Sequence, residues 1–311
     1  MGDAQATTRE LGRGISLGGA LDVDGDDTGG WLHERHFDAV RDAGFDTIRL
    51  PVKWSAHMAT RRPYLVDASF LDRVDRAVEC GLRRDLNVVL DVHHFDELCA
   101  EPDRHRERFL ALWSQIAQRY AGVGAGLCFE TLNEPHEPMT AREWNDLLAA
   151  ALAVIRTSNP TRTVIAGPVL WNTVGGLPSL RLPDDRNLIV TIHYYSPFEF
   201  THQGASWLED ADRWLGTTWG TESDRARVRT ELARASAWAR DRDRRLFLGE
   251  FGVCANVGMA ARSAWTALVR AEAERLGMSW AYWDFGTDFG AFDLTRHAWR
   301  APLREALLGT G

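Results

Sequence analysis

Two glutamates end hydrophobic segments of this chain and are the first candidates for chemistry. Glu134 follows the segment Leu127–Leu132, and Glu250 closes the segment Leu246–Glu250. A carboxylate among strongly apolar residues costs free energy unless it has partners or a task. One such residue is as easily explained by a salt bridge or a helix cap. Two of them, with histidines, an arginine and tyrosines nearby, favour a pair that acts on one bond, as glycoside hydrolysis requires.

Other polar side chains also follow hydrophobic segments. They are Arg49, Asp91, His93, His94, Asn133, His193, Tyr195 and, next to Trp283, Asp284. The histidines of this set raise the alternative of a metal-dependent hydrolase. Because neighbouring residues of a strand point to opposite sides, His93 and His94 are not expected to share one ion. We therefore predict no metal site, and a loss of activity on chelation would contradict this.

Short apolar segments alternate with amphipathic segments along the chain, a pattern typical of parallel strands covered by helices. The predicted strands are Arg13–Leu17, Asp46–Pro51, Asn87–Val92, Leu127–Leu132, Thr163–Ala166, Leu188–His193, Leu246–Glu250 and Met278–Trp283. The predicted helices are His33–Ala43, Ser69–Arg84, Arg104–Tyr120, Ala141–Thr157, Glu222–Arg240, Met259–Leu276 and Ala301–Leu308, with a weaker pattern after Trp171. Eight such units indicate an α/β fold, a single-domain (β/α)8 TIM barrel. A doubly wound open sheet is the alternative, but no dinucleotide-binding fingerprint follows any strand.

The barrel gives these polar residues a common location. In such barrels the active site lies where the strands end and the loops begin. Strands four and seven face each other across the mouth, so Glu134 and Glu250 are expected to approach a bound molecule from two sides. The longest irregular stretch, Tyr195–Thr221, follows the sixth strand and carries Trp207. A loop of this length usually has a function.

Composition restricts the class of protein. The chain has 311 residues, of which 45% are hydrophobic, and a formal charge of −8. We predict one catalytic domain over residues 1–311, with a flexible segment at residues 1–11. An acidic chain without basic clusters is a poor binder of nucleic acid or anionic membrane, and no apolar run reaches the length of a membrane span. The first residues lack a secretory signal, so the expected location is the cytosol, or outside the cell if a leader has been removed.

Six motifs, in this order, resemble glycoside hydrolase family 5, the cellulase-like branch of retaining barrel glycosidases. They are RGISLG (13–18), FDTIRLP (45–51), FETLNEP (129–135), IHYYSPF (192–198), FTHQG (200–204) and LGEFG (248–252). Asn-Glu-Pro alone is a weak match, but all six in order, each at a predicted strand end, are specific. The resemblance runs from Arg13 to about Leu307. It is greatest with bacterial endoglucanases of the family, some of which also cut mannan.

The resemblance implies the roles of the catalytic residues. Glu134 matches the acid/base, and Glu250 matches the nucleophile that forms a covalent glycosyl-enzyme. The supporting residues are Arg49, which favours the ionised nucleophile; Tyr195, which hydrogen-bonds it; Asn133, which holds the sugar 2-hydroxyl; and His193, which orients or reprotonates the acid/base.

The resemblance also implies residues that bind the sugar. His93 matches the family's sugar-binding histidine, and Trp283 matches the aromatic floor beneath the sugar at the cleavage point. His94 and His202 match residues of the closer relatives. Further candidates are the platforms Trp171 and Trp207 and the acids Asp22 and Asp284.

The chain departs from its relatives on one side of the cleft. Relatives carry asparagine where Ser16 and Gly19 stand and glutamate where Asp22 stands. Asp284 also replaces a longer acid. We therefore expect the reaction to be kept and the recognition of the second sugar to differ.

These observations predict a retaining endo-β-1,4-glycanase that acts on glucan as an endoglucanase, with glucomannan or mannan as further substrates. It is expected to need no cofactor and to bind a β-linked oligo- or polysaccharide. The protein itself is expected to be a monomer. The alternative is an intracellular glycosidase of short oligosaccharides or a small glycoside on the same fold. A non-catalytic carbohydrate-binding barrel is disfavoured, because both carboxylates are present.

Overall fold

Eight parallel strands close into a barrel in a computed structural model that describes residues 10–23 and 30–309. The strands are β1 (Arg13–Ser16), β2 (Thr47–Leu50), β3 (Asn87–Asp91), β4 (Leu127–Glu130), β5 (Val164–Ala166), β6 (Leu188–Tyr194), β7 (Arg245–Phe251) and β8 (Ser279–Tyr282). Each strand pairs with its neighbours in chain order, and β1 closes on β8. The predicted (β/α)8 barrel is confirmed, with every strand close to its predicted bounds.

Helices surround the barrel and connect its strands. They are α1 (Glu34–Ala43), α2 (Ala68–Leu82), α3 (Asp96–Ala100), α4 (Pro102–Arg119), α5 (Ala141–Arg156), α6 (Phe198–Thr201), α7 (Glu222–Arg240), α8 (Met259–Arg275) and α9 (Ala301–Leu308). Capping boxes begin α5 at Thr140 and α7 at Thr221, where each hydroxyl accepts a backbone N–H of the first turn. Gly44 ends α1 in the left-handed conformation that favours glycine.

The sequence prediction is wrong for the connection between β5 and β6. A 3₁₀ turn, Val174–Ser179, stands where the weak pattern after Trp171 indicated a helix. Two glycines and a proline in those six residues oppose an α-helix, because glycine loses more conformational entropy and proline lacks an amide hydrogen. The sequence patterns also missed α3, α6 and a ribbon that pairs Phe292–Asp293 with Ala298–Trp299. Each is too short for a readable period.

Apolar side chains fill the barrel in one inner cluster and one outer cluster. The inner cluster is formed by Leu11, Val89, Cys128, Ile165, Ile189, Phe247 and Ala281. The outer cluster packs the strands against the helices. Leu11 is 1% exposed, so the end of the segment predicted to be flexible is part of the core. Residues 1–9 of that segment lie outside the described residues.

Two further expectations concern cysteines and membranes. The spacing of the four cysteines predicts neither a metal site nor a disulfide scaffold; all four are buried, and none forms a disulfide. Among the described residues, no helix is both long and apolar enough to cross a bilayer.

The stretch Tyr195–Thr221 is less irregular than predicted, since α6 and a 3₁₀ turn, Ala211–Trp214, lie within it.

Candidate active site

A buried arginine forms the centre of the barrel mouth. Arg49, on β2, is 0% exposed and donates hydrogen bonds to three carboxylates and one amide. Its Nε and Nη2 reach Glu130 at 2.7 and 3.1 Å, its Nη2 reaches Asp91 at 2.9 Å, and its Nη1 reaches Glu250 at 2.6 Å. Such a bidentate, charge-assisted arrangement is geometrically specific. It fixes the nucleophile candidate relative to the strands.

One buried cation cannot neutralise all the acids around it. Burial raises the pKa of Asp91, Glu134 and Glu250 to about 7 each, although Arg49 opposes the rise. Burial also raises the pKa of Glu130. Carboxylates this close cannot all ionise near neutral pH, so protons are retained within the group.

The second carboxylate, Glu134, leaves β4 in an unusual backbone conformation. Its φ is +47°, in the left-handed region that costs a non-glycine residue free energy and is frequent at functional sites. Glu134 Oε1 lies 2.7 Å from His193 Nδ1, and the Glu134 carbonyl oxygen lies 2.8 Å from His136 Nδ1. Its side chain is 26% exposed, which leaves the carboxyl group open to a ligand.

Glu250 faces Glu134 from the opposite side of the mouth. Tyr195 donates its hydroxyl hydrogen to Glu250 Oε2 at 2.8 Å, while Arg49 holds the other oxygen. A shift of register between Ile192 and His193 pairs His193 with Glu250. Bulges of this kind re-aim side chains near active sites. One carboxylate oxygen of Glu134, one of Glu250 and one ring nitrogen of His193 lie within 4.8 Å of one another.

The surroundings of these two carboxylates differ in the way that acid and nucleophile require. Glu250 accepts hydrogen bonds from a guanidinium and a phenol, and both stabilise its ionised form. Glu134 has no direct contact with Arg49, so the retained proton is favoured there. Asn133 adds a third function: its Oδ1 accepts from Arg49 Nη2 at 2.8 Å, which leaves its NH₂ group for a ligand.

One wall of the mouth combines four of the predicted sugar-binding residues. The rings of His93 and Trp283 are stacked, with centroids 5.6 Å apart, and His93 Nδ1 lies 2.6 Å from Asp91. Ligand atoms of Asp22, His93 and His94 lie within 4.8 Å of one another. Burial raises the pKa of Asp22 to about 6.

His93 and His94 do not point to opposite sides, so the prediction from strand alternation is wrong. Both follow the end of β3, and His94 turns back with a φ of +52°, so the two ring centroids are 4.2 Å apart. Alternation of side chains holds only within a strand. Within residues 10–23 and 30–309, two groups have a spacing that could hold a metal ion: Asp22–His93–His94 and Glu134–His193–Glu250. In the second, the Arg49 guanidinium already supplies a positive charge to Glu250.

Aromatic residues after β6 form the wall next to Tyr195. His202 is buried between the rings of Phe198 and Tyr195, at centroid distances of 4.0 and 4.8 Å. Trp207, which is 52% exposed, contacts Phe289 and His202 at the edge of this cluster. His202 therefore supports the wall, and Trp207 is its solvent-facing aromatic surface.

The opposite side carries a second exposed indole. Trp171, 45% exposed, stacks on His136 with centroids 5.2 Å apart and an interplanar angle of 5°. Its backbone N–H donates to the carbonyl of Pro135, directly after Glu134. The pair forms a flat surface beyond the acid/base candidate.

Asp284 lies at the mouth but is turned inward. It is 0% exposed, and both its oxygens accept the Thr287 N–H at 3.2 Å. Burial raises its pKa to about 8. The structure thus gives Asp284 a role in shaping its own loop rather than an exposed carboxylate.

Sequence reasoning assigned no role to four residues that contact the predicted site. They are Asp91, Glu130, His136 and Asn172. The two acids had a readable signal, since each interrupts an otherwise apolar strand and demands a buried cation. His136 and Asn172 had none, because their contacts depend on loop conformations that no local pattern encodes.

Comparisons with known proteins agree with this geometry. The family model for cellulase (glycosyl hydrolase family 5) matches residues 18–289. Endoglucanase H of Acetivibrio thermocellus is 34% identical over 288 residues, which make up 92% of this chain but only 30% of that protein. The structure of Thermotoga maritima Cel5A with cellobiose has a TM-score of 0.94 at 41% identity, over 97% of this chain and 98% of that chain. Its complex with mannotriose gives the same TM-score, identity and coverage.

A parallel barrel with this mouth and these relatives is an O-glycosyl hydrolase. Within that class, the chain belongs to glycoside hydrolase family 5, the cellulase family. The resemblance read from the six motifs is confirmed.

Proposed function

We propose that the chain is a retaining endo-β-1,4-glucanase with Glu250 as nucleophile and Glu134 as acid/base. The main support for the proposal is the proximity of the two carboxylates, because one oxygen of Glu134 lies within 4.8 Å of one oxygen of Glu250. Retaining glycosidases hold their carboxyl groups about 5–5.5 Å apart, whereas inverting ones leave about 6.5–9.5 Å for a water molecule. Glucan as substrate is supported by the endoglucanase and cellobiose-bound relatives.

The reaction follows from the contacts of each residue. Glu250, ionised beside Arg49, attacks the anomeric carbon while Glu134 protonates the departing oxygen. Glu134 then removes a proton from water, which attacks the glycosyl-enzyme from the face that the leaving group vacated. The Asn133 amide holds the 2-hydroxyl of the sugar, and Tyr195 orients Glu250. His93 and the Trp283 ring support the sugar at the cleavage point, and the catalytic steps need no cofactor.

Proton NMR of a cellopentaose digest tests the mechanism. Two successive inversions at the anomeric carbon leave the configuration unchanged, so the β-anomer of the new reducing end is expected first, before mutarotation. An initial α-anomer would contradict the double displacement. A parallel mannopentaose digest tests whether mannan is a substrate, which the mannotriose-bound relative suggests. No cleavage of either pentasaccharide would favour the alternative of a small glycoside.

The Trp171–His136 pair supports a binding site for the leaving-group part of a long chain. The pair lies beyond Glu134, on the side where the acid meets the departing oxygen. An indole face gains contact area against the apolar face of a sugar. Sites on both sides of the bond favour cleavage within a polymer, so a rapid fall in the viscosity of soluble glucan is expected.

Trp171→Ala should lower kcat/KM only for substrates that fill this leaving-group site. We expect kcat/KM for cellopentaose to fall about tenfold, equivalent to about 1.4 kcal/mol. For 2,4-dinitrophenyl β-cellobioside, which has no sugar as leaving group, kcat/KM should change less than about twofold. Trp207→Ala is the matched comparison, since it removes a similarly exposed indole from the other wall. An equal loss on both substrates for Trp171→Ala would contradict this placement.

We further propose that the chain works as a monomer, because the mouth is built from strands of one barrel. Light scattering of the purified protein tests this.

A further inference from the structure

A buried amide, Asn172, contacts both Glu134 and His193. Its side chain is 0% exposed, and we assign the amide orientation from its neighbours: the nitrogen then donates to the Pro168 carbonyl at 3.0 Å, and the oxygen accepts the Glu134 backbone N–H at 3.3 Å. The carbonyl of Asn172 also accepts the His193 N–H at 2.9 Å. One residue therefore connects the backbones of Glu134 and His193.

The orientation of this amide determines where His193 carries its hydrogen. The side-chain atom that meets the Glu134 N–H also lies 3.5 Å from His193 Nε2. Since this atom is the amide oxygen, an acceptor, it favours a hydrogen on Nε2 over a lone pair there. A neutral imidazole with a hydrogen on Nε2 has a lone pair on Nδ1. Burial lowers the pKa of His193 to about 4, so the ring is neutral near pH 7.

The lone pair acts on Glu134. His193 Nδ1 lies 2.7 Å from Glu134 Oε1, a distance at which two acceptors repel each other unless one of them carries a hydrogen. The Nε2–H tautomer therefore disfavours the Glu134 carboxylate and favours its protonated form. The opposite tautomer would donate from Nδ1 and stabilise the carboxylate.

We propose that Asn172 is a positioning residue that holds His193 in the Nε2–H tautomer and thereby keeps the proton on Glu134. The proposal rests on the acid/base role proposed for Glu134 above. No group is added or lost: the amide selects which ring nitrogen carries the hydrogen.

The local fold is built to admit this amide. Leu170, Trp171 and Asn172 have φ values of +67°, +52° and +54°, and such a run of left-handed residues is costly unless the surroundings impose it. Gly167 faces the amide, and a Cβ there would overlap the Asn172 side chain. At Gly249, a Cβ would come within 3.1 Å of His193 Nε2. The absence of a side chain at both glycines leaves room for the His193 ring and the Asn172 amide to meet.

Asn172→Leu tests the proposal by two readouts that a merely structural role would not separate. Without the acceptor, His193 is free to carry its hydrogen on Nδ1, so the pKa of Glu134 falls. The basic limb of the kcat/KM profile should move down by roughly one pH unit. At neutral pH, kcat/KM for cellopentaose should fall about 10- to 100-fold, and that for 2,4-dinitrophenyl β-cellobioside, whose leaving group needs no acid, less than about threefold.

Three further variants separate the possible causes. Asn172→Asp keeps an acceptor for Nε2–H and adds negative charge, so its basic limb should not move down. Trp171→Ala shows the substrate difference without the pH shift. Asn145→Leu is the matched control, because that amide also donates to a carbonyl (Ser179, 2.9 Å) and accepts a backbone N–H (Arg181, 2.8 Å), but outside the mouth.

The tautomer can also be read in the unmodified protein. Histidine ¹⁵N shifts, assigned with His193→Gln, should show a protonated Nε2 and an unprotonated Nδ1 for His193. A protonated Nδ1, or an Asn172→Leu variant with an unshifted basic limb, would overturn the proposal. If Glu134→Ala itself showed no dependence on the leaving group, the proposed function would fail instead. The NMR result does not require any Asn172 variant to fold.

Discussion

Glu250→Ala should lower kcat for 2,4-dinitrophenyl β-cellobioside by about 10⁴-fold or more, because the variant has no group that can attack the anomeric carbon. The loss is chemical rather than structural. Glu250 is one of three carboxylates on Arg49, and Asp91 and Glu130 remain to hold the guanidinium. The folded fraction, followed by circular dichroism, should therefore change little.

Azide distinguishes the nucleophile from the acid/base. In Glu250→Ala the small anion can take the vacant position and attack directly, so activity is partly restored and the product is the α-glycosyl azide. In Glu134→Ala, azide replaces water in the second step, and the product is the β-glycosyl azide. The configuration of each product is read by NMR. Exchanged configurations would reverse the two assignments.

A glutamate outside the mouth provides the control for both variants. Glu231, on α7, accepts the Tyr194 hydroxyl at 2.8 Å and pairs with Arg227, but it contacts none of the catalytic candidates. Glu231→Ala should keep kcat within about twofold of the unmodified enzyme. Activity of Glu250→Ala near that of this control would end the assignment of Glu250.

The difference between what was predictable and what was not follows from the range of the interactions. The strands and most helices were predicted because their apolar periods are local, and Glu134 and Glu250 were predicted because strand order places their ends at one mouth. The turn after β5 was not, since its left-handed residues are imposed by tertiary contacts. Asn172 became visible only through its distances to Glu134 and His193. The pairing of Asp91 and Glu130 with Arg49 joins three strands, and no spacing within one segment encodes it.

Arg49→Met should remove most activity and also destabilise the fold in a pH-dependent way. The variant leaves Asp91, Glu130 and Glu250 buried without a cation, and breaking such a buried ion pair costs about 3–5 kcal/mol. For the reaction, the loss of positive charge raises the pKa of Glu250. The acid limb of the kcat/KM profile should therefore move to higher pH, with kcat lower by about 10²-fold or more.

The sign of the stability effect follows from the raised acids. A carboxyl group whose pKa is higher in the folded state disfavours folding as the pH rises from its unfolded value toward its folded value. For Asp91 that interval runs from 3.8 to about 7 in the unmodified enzyme, and without Arg49 it extends further upward. The melting temperature of Arg49→Met should thus be slightly lower than that of the unmodified protein near pH 4. Near pH 8 the difference should be much larger.

Arg162→Met is the control that isolates the acids. Arg162 is also buried, but its guanidinium donates to the carbonyls of Gly124, Leu127, Tyr120 and Val123 and to Asn159, with no carboxylate among these partners. Its removal should lower the melting temperature by an amount that hardly changes with pH and leave both limbs of the rate profile in place. A pH-independent loss for Arg49→Met as well would mean that Asp91 and Glu130 are neutral beside Arg49, and that the fixed charge does not control the ionisation of Glu250.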